Sequence, residues 1–179
     1  MKSKFINIYT IGYYGPIILF TTIIIYIILP LLANITDMAT ITSTTNHVLY
    51  MIFINAISVE LNGILKLLIK ESRPKNSKKI NINDVKHSKT YGMPSGHAQM
   101  VANNLVYLSM LANSKIVTTI SSIVALLTLY QRYVFRMHTK SQLVYGALFG
   151  CTTGYIFFKL YSYIESGAQI NNNGHHTKE

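Results

Sequence analysis

The sequence has no tryptophan, one cysteine, four prolines and only six acidic residues. Each scarcity excludes something. With Cys151 alone, no internal disulfide can form, and its place in an apolar run marks it as a packing residue. Without tryptophan, the thirteen tyrosines are the available interfacial anchors for a membrane protein. Charged residues are 12% of the chain, against about 25% in an ordinary soluble domain. The six acids do not cluster. Only Glu71 and Asp84 fall near the motifs described below, and they form no carboxylate cage for a metal.

What is abundant is apolar and basic. Half of the 179 residues are hydrophobic, yet the net charge is +10. The apolar residues are gathered into long runs rather than spread periodically, which is the pattern of an integral membrane protein. Five segments suit bilayer-spanning helices, at about 14–33, 48–69, 94–113, 116–136 and 141–164. The fold class expected is therefore all-α, a multi-pass transmembrane bundle of about five spans forming one domain over 1–164. A disordered polar tail is expected over 165–179. Its His175 and His176 can bind metal, but a solvated tail is the simpler reading.

The first run lies between Pro16 and Pro30 and lacks a small-x-small cleavage site, so it reads as a retained span rather than a signal peptide. The third and fifth runs are the least apolar. They hold Asn103, Asn104, Thr152 and Thr153, which suit contacts inside a bundle. Asn55 and Asn62 read as interhelical hydrogen-bonding residues, and Glu60, at mid-span, as structural.

Threading five spans through a bilayer brings four helix ends to one side. Lys66, Arg73, Ser95, His97, Arg132 and His138 all fall there. So do most of the sixteen Lys and Arg residues; the other side keeps Lys115, Lys159 and Lys178. The positive-inside rule puts the crowded side in the cytosol. Cations that bind an anionic substrate confound that rule.

Three stretches on this side carry chemistry. Lys66 and Arg73 are separated by six residues, with Pro74 ending any helix. They can clamp an anion, or they can be ordinary flanking charges. In "YGMPSGHAQM", residues 91–100, Pro94 suits a first helical turn, and Ser95 and Gly96 follow with backbone N–H groups toward the loop. A helix N-terminus of this kind can hold phosphate, and His97 beside it can donate a proton. The tetrapeptide also reads as a plain helix cap. In "QRYVFRMHTKSQLVYG", residues 131–146, Arg132 and His138 bracket a turn. Arginine's planar fork suits phosphate oxygens, and a neutral imidazole can attack phosphorus. Gln142, four residues on, can accept from the other ring nitrogen. Three cations, two histidines and no carboxylate cluster suggest phosphoryl transfer by electrostatic clamping, without metal or other cofactor.

Lys66-x6-Arg73-Pro74, Pro94-Ser95-Gly96-His97 and Arg132-x5-His138 resemble the three signature motifs of the phosphatidic acid phosphatase type 2 superfamily, in order and in the expected helical places. The resemblance spans residues 66–142 and implies a phosphatase/haloperoxidase-like helical core. Within it, "YGMPSGHAQ" and "HTKSQLVYG" are similar to the dolichyldiphosphatase branch, where His-Thr-x-x-Gln is typical. Gly96 departs from that branch toward the general form, while Gln142 and Gln131 depart from the superfamily's usual Asp and Ser.

The resemblance implies that His138 attacks the terminal phosphorus. Lys66, Arg73, Arg132, Ser95 and Gly96 hold the phosphate, and His97 serves the leaving group and then water. Gln142 orients His138, or else weakens the site. The implied substrate is a polyisoprenoid (dolichyl) diphosphate, and the implied place is the endoplasmic reticulum membrane with the site lumenal, as in protein glycosylation. Phosphatidic acid, a sphingoid phosphate or undecaprenyl diphosphate are alternative substrates. An inactive lipid-phosphate-binding protein is the alternative of another class. Arg136 and Lys140 can meet a second phosphate or snorkel to headgroups. The basic loop of Lys75, Lys78, Lys79, Lys86 and Lys89 reads as facing anionic lipid rather than nucleic acid.

Overall fold

The structure is a computed structural model that describes residues 8–75 and 91–175. Five helices make up this part: α1 (Ile8–Ala33), α2 (Met38–Ile69), α3 (Gly96–Ala112), α4 (Lys115–Val134) and α5 (Lys140–His175). The described residues contain no strand. Lys78, Lys79, Lys86 and Lys89 of the basic loop, and His176 of the tail, lie outside them.

The helices fall where the apolar runs are, with longer ends. α2 starts at Met38 rather than near 48. Asp37 caps it, accepting from the amides of Ala39 and Thr40 at 3.3 and 3.0 Å. The polar turns that follow are helix-compatible because Thr42 and Thr45 bond back to the carbonyls of Met38 and Ile41 at 2.8 Å. At 32 residues, α2 is about 48 Å long and outreaches the bilayer core. α5 continues to His175, through most of the stretch expected as a tail. Pro16 and Pro30 lie inside α1 instead of bounding it. Neighbouring helices make an interior proline tolerable in a membrane. Asn104 Nδ2 of α3 donates to the Pro16 carbonyl at 3.2 Å and ties α3 to α1 there.

Three helices are long and apolar enough to cross a bilayer by length and composition: Thr10–Ala33, Met38–Ile69 and Lys140–Gly167. The two shorter ones are more polar for a packing reason. α3 contacts each of the other four helices. Gln99, Asn103 and Asn104 are fully buried in it and bond across the bundle instead of meeting lipid. Gln99 Nε2 donates to the carbonyl and hydroxyl of Ser58 at 2.8 and 2.9 Å, and its Oε1 accepts from Asn62 at 2.6 Å. Thr153 of α5 donates to Asn103 at 3.1 Å. The expectation for Asn62, Asn103, Asn104 and Thr153 is thus met. Asn55 instead bonds to Met51 in its own helix, and Thr152 to Leu148. Cys151 and Glu60 sit on outward faces, so Cys151 is not a packing residue.

The apolar core is built by Ile23 and Ile27 of α1, Met51 and Ile54 of α2, and Tyr107 and Leu108 of α3. Ile25, Leu32, Phe53, Ile116 and Leu126 point outward, a surface only lipid would cover. α3 and α5 touch backbone to backbone. A Cβ added at Gly146, Gly150 or Gly154 would come within 2.6, 2.1 or 2.5 Å of the carbonyl oxygens of Ser95, Gln99 and Asn103. This small-xxx-small stripe brings the N-termini of the two helices together. The chain is an all-α, multi-pass membrane bundle.

Candidate active site

At the end of the bundle where α3 and α5 begin, a cavity of about 280 Å³ is lined by Lys66, Arg73, Gly96, His97, Arg132 and His138. Six of the eight residues singled out by sequence therefore share one space. Asn62 and the apolar Val59, Met100 and Met137 complete the lining. A second hollow of about 410 Å³ lies at the opposite end, bordered by Thr40, Ser43 and His47. It has no converging cations among its lining residues.

The turn that carries Arg132 and His138 closes α4 with a Schellman motif. The Met137 amide bonds to the Arg132 carbonyl at 3.0 Å and the Arg136 amide to that of Tyr133 at 2.9 Å. Arg136 takes the left-handed conformation, φ 52°, that glycine usually fills. The turn folds His138 back under Arg132, leaving both buried.

His138 Nδ1 lies 2.9 Å from the Gly92 carbonyl and 3.1 Å from Gln142 Oε1. Both are acceptors, so Nδ1 carries the proton and Nε2 is the ring nitrogen left to the cavity. Burial, and then the Arg73 charge, push the imidazole down from 6.5 to about 3. Arg132 and Lys66 act the same way, while the Gln142 hydrogen bond opposes them. At neutral pH His138 is an uncharged base among cations, the state a nitrogen nucleophile requires.

Gln142 is fully buried and uses its whole amide. Oε1 also accepts from the Thr139 amide at 3.2 Å; Nε2 donates to Glu71 Oε1 at 2.7 Å and to the Ser72 carbonyl at 2.9 Å. Its orientation is set from both ends, so it is a built part of the site.

Ser95 behaves differently from expectation. The helix begins at Gly96, with Ser95 as N-cap and Pro94 one residue outside, not in the first turn. The Ser95 hydroxyl accepts from Ala98 at 3.4 Å and its amide donates to the Gln142 carbonyl at 3.0 Å. The first bond caps α3, the second ties it to α5, and Ser95 is not among the residues lining the cavity. Gly96 is. A Cβ there would stand 3.1 Å from Asn62 Oδ1 and 3.8 Å from Lys66 Nζ.

Sequence reasoning missed three participants. Tyr13 of α1 lies under Arg132, whose guanidinium carbon is 5.0 Å from the ring centroid, and beside His97 at 5.8 Å between rings. Nothing local in the first apolar run signals this. Gly92 presses on Gln142 so closely that a Cβ would lie 2.7 Å from its amide; the Tyr-Gly before Met-Pro was the available hint. Glu71 stood in the first motif, read only as a non-ligand. Gln131, in place of the superfamily's usual Ser, is buried against Gly12 of α1. Arg136 and Lys140 are exposed and line another cavity of about 480 Å³ that also reaches His138. Among the described residues, no group of three or more His, Cys, Asp and Glu is arranged to hold a metal ion.

Comparison with curated protein sequences returns no match. Among solved structures, the chain is similar to the crystal structure of a transmembrane PAP2-type phosphatidylglycerolphosphate phosphatase from Bacillus subtilis. The identity is 16% and the TM-score 0.58, over 89% of this chain and 75% of that one. At that identity the likeness speaks for the fold. The family model described as PAP2 superfamily matches residues 47–166, which take in every motif residue lining the cavity. Fold and motifs agree, and the chain belongs to the PAP2 superfamily.

Proposed function

We propose that the protein hydrolyses a polyisoprenoid diphosphate, such as dolichyl diphosphate, to the monophosphate and inorganic phosphate through a phosphohistidine. The observation that carries this reading is the state of His138. Its Nδ1 proton is held by two acceptors, which leaves Nε2 to a cavity that three cations also line.

In the first step Nε2 bonds to the terminal phosphorus as the bridging P–O bond breaks. The lipid monophosphate leaves, with His97 supplying a proton to its oxygen. In the second, His97 takes a proton from water, the water oxygen bonds to phosphorus, and the P–N bond breaks to return neutral His138 and phosphate. Lys66, Arg73 and Arg132 neutralise charge on the transferring group, with the Gly96 amide at the helix start. Ser95 contributes by fixing that helix start. The lipid tail passes Val59 and Met100 toward the bilayer.

A diphosphate is favoured over a monoester because Arg136 and Lys140 add two cations in a cavity that shares His138. The His138-Thr139-x-x-Gln142 pattern, similar to the dolichyldiphosphatase branch, supports the same substrate. By that likeness the enzyme works in the endoplasmic reticulum membrane with its site lumenal. Neither nucleic acid nor metal enters this scheme.

The test is phosphate release by purified protein in detergent, in excess EDTA, from dolichyl diphosphate, undecaprenyl diphosphate, phosphatidic acid and phosphatidylglycerol phosphate in parallel. The expected result is release from the isoprenoid diphosphates in EDTA, falling about a thousand-fold or more in His138→Ala. A strict metal requirement, or activity surviving His138→Ala, overturns the mechanism. Preference for a phosphatidyl monoester overturns the substrate. No release from any lipid, with tight binding, favours the binding-protein alternative.

A further inference from the structure

Residue 142 is where the superfamily's usual form has a carboxylate against the nucleophilic histidine, and here it is an amide. The carboxylate is one hydrogen bond further back. Glu71 Oε1 accepts from Gln142 Nε2 at 2.7 Å, and Gln142 Oε1 faces His138 Nδ1 at 3.1 Å. A second path runs from the same residue. The Glu71 carbonyl accepts from the Gly92 amide at 2.7 Å, and the Gly92 carbonyl faces His138 Nδ1 at 2.9 Å. Both acceptors that hold the Nδ1 proton are themselves held by Glu71.

We infer that Glu71 is a positioning residue for phosphoryl transfer, its carboxylate acting on His138 through the Gln142 amide. The inference rests on the reading of His138 as nucleophile. When Nε2 bonds to phosphorus the ring becomes positively charged while the Nδ1 proton stays in place. A neutral amide stabilises that charge less than a carboxylate does. An amide whose N–H donates to a carboxylate has a more negative carbonyl oxygen, because hydrogen bonds in a chain polarise one another in a low dielectric. Gln142 is fully buried, so water does not screen the relay at its centre. The remaining bonds of Gln142, to the Thr139 amide and the Ser72 carbonyl, set its direction and carry no net charge. Glu71 alone among its partners does.

The arrangement makes a prediction that a merely structural role does not. Glu71→Gln keeps the shape and the backbone path and removes only the charge. It is expected to lower kcat about ten-fold or more, with KM within about two-fold of wild type. Gln142→Glu restores a carboxylate beside His138 but sets it against Glu71 at hydrogen-bond distance, where two ionised groups repel. It should be impaired. Joining it to Glu71→Gln exchanges amide and carboxylate and re-forms an N–H to carboxylate bond, so the double variant should exceed Gln142→Glu alone by about ten-fold.

Additive losses in the double variant, or a kcat for Glu71→Gln within about two-fold of wild type, overturn the inference while leaving the phosphatase reading in place. Absence of wild-type turnover defeats the phosphatase reading instead. The Nδ1 proton of His138 then decides by itself, in histidine-labelled protein in micelles. An upfield move of its resonance in Glu71→Gln, as the hydrogen bond weakens, supports the relay. An unmoved resonance overturns it.

Discussion

His138 shows how one side chain is tuned by those around it. Burial and the Arg73 charge hold it at about 3, well below its ordinary 6.5. A base with a depressed pKa stays unprotonated as pH falls, and is lost only as pH approaches the depressed value. The limb of kcat/KM that belongs to the nucleophile is therefore expected well below 6.5. Removing a cation lets the proton bind more easily. Arg73→Ala should move that limb to higher pH, on top of its loss in phosphate binding, and a pH–rate profile of the free enzyme measures it. A limb that stays in place, or moves lower, means Arg73 does not act on His138 electrostatically.

Gly92 offers a residue-scale test by volume. A methyl group there would stand 2.7 Å from the Gln142 amide. Gly92→Ala should lower kcat about ten-fold or more by displacing the group that orients the imidazole. Its melting temperature should fall only slightly, since the glycine lies in a loop. Turnover equal to wild type would show that Gln142 can move without consequence.

At the scale of elements, the site depends on how closely α3 and α5 approach. Gly146, Gly150 and Gly154 let their backbones touch, and the resulting register puts the Gln142 carbonyl on the Ser95 amide. Gly150→Ala puts a Cβ 2.1 Å from the Gln99 oxygen, so one helix must shift. It should destabilise by about 1–3 kcal/mol and reduce turnover. Gly63 is the control, since a Cβ there meets nothing within 4 Å. Gly63→Ala should be neutral, or stabilising by up to about 1 kcal/mol, because alanine is the better helix former. Thermal unfolding of both variants in detergent distinguishes close approach from a general intolerance of substitution.

At the scale of the whole molecule, the cationic site occupies one end of the bundle. Asn34, in the turn between α1 and α2, lies at the far end of a helix about 48 Å long from Ser72. Both are exposed. In a Cys151→Ser background, Asn34→Cys and Ser72→Cys should be labelled by a membrane-impermeant thiol reagent from opposite sides of sealed vesicles. Labelling of both from one side would rule out α2 as a complete crossing.

Much of this was legible in the chain. Apolar runs located all five helices: in α1, α2 and α5 because crossing lipid demands continuous hydrophobicity over a set length, and in α3 and α4 because packing inside the bundle still needs apolar faces. The helix ends were less legible, since Asp37 and the threonines after it extend α2 past any apolar signal. The cavity residues could be named because their types and spacing are tied to phosphate chemistry. What Ser95 does besides was not legible: its type and position fit a phosphate contact, and only the structure shows its hydroxyl capping α3 and its amide bonded to the Gln142 carbonyl. Tyr13 and Glu71 were not legible as participants. Their partners are distant in sequence, and no periodicity or spacing encodes a contact between α1 and the end of α4, or between residues 71 and 142.

By itself, then, the sequence determined that this is a helical membrane protein with Lys66, Arg73, His97, Arg132 and His138 at one end. Hydrophobic length and residue chemistry are local properties, written in order along the chain. Only the tertiary structure decided that His138 Nδ1 faces two acceptors, that Gln142 lies between His138 and Glu71, and that Glu71 also bonds to Gly92. Those facts depend on distances of about 3 Å between residues far apart in sequence, and close packing alone sets such distances.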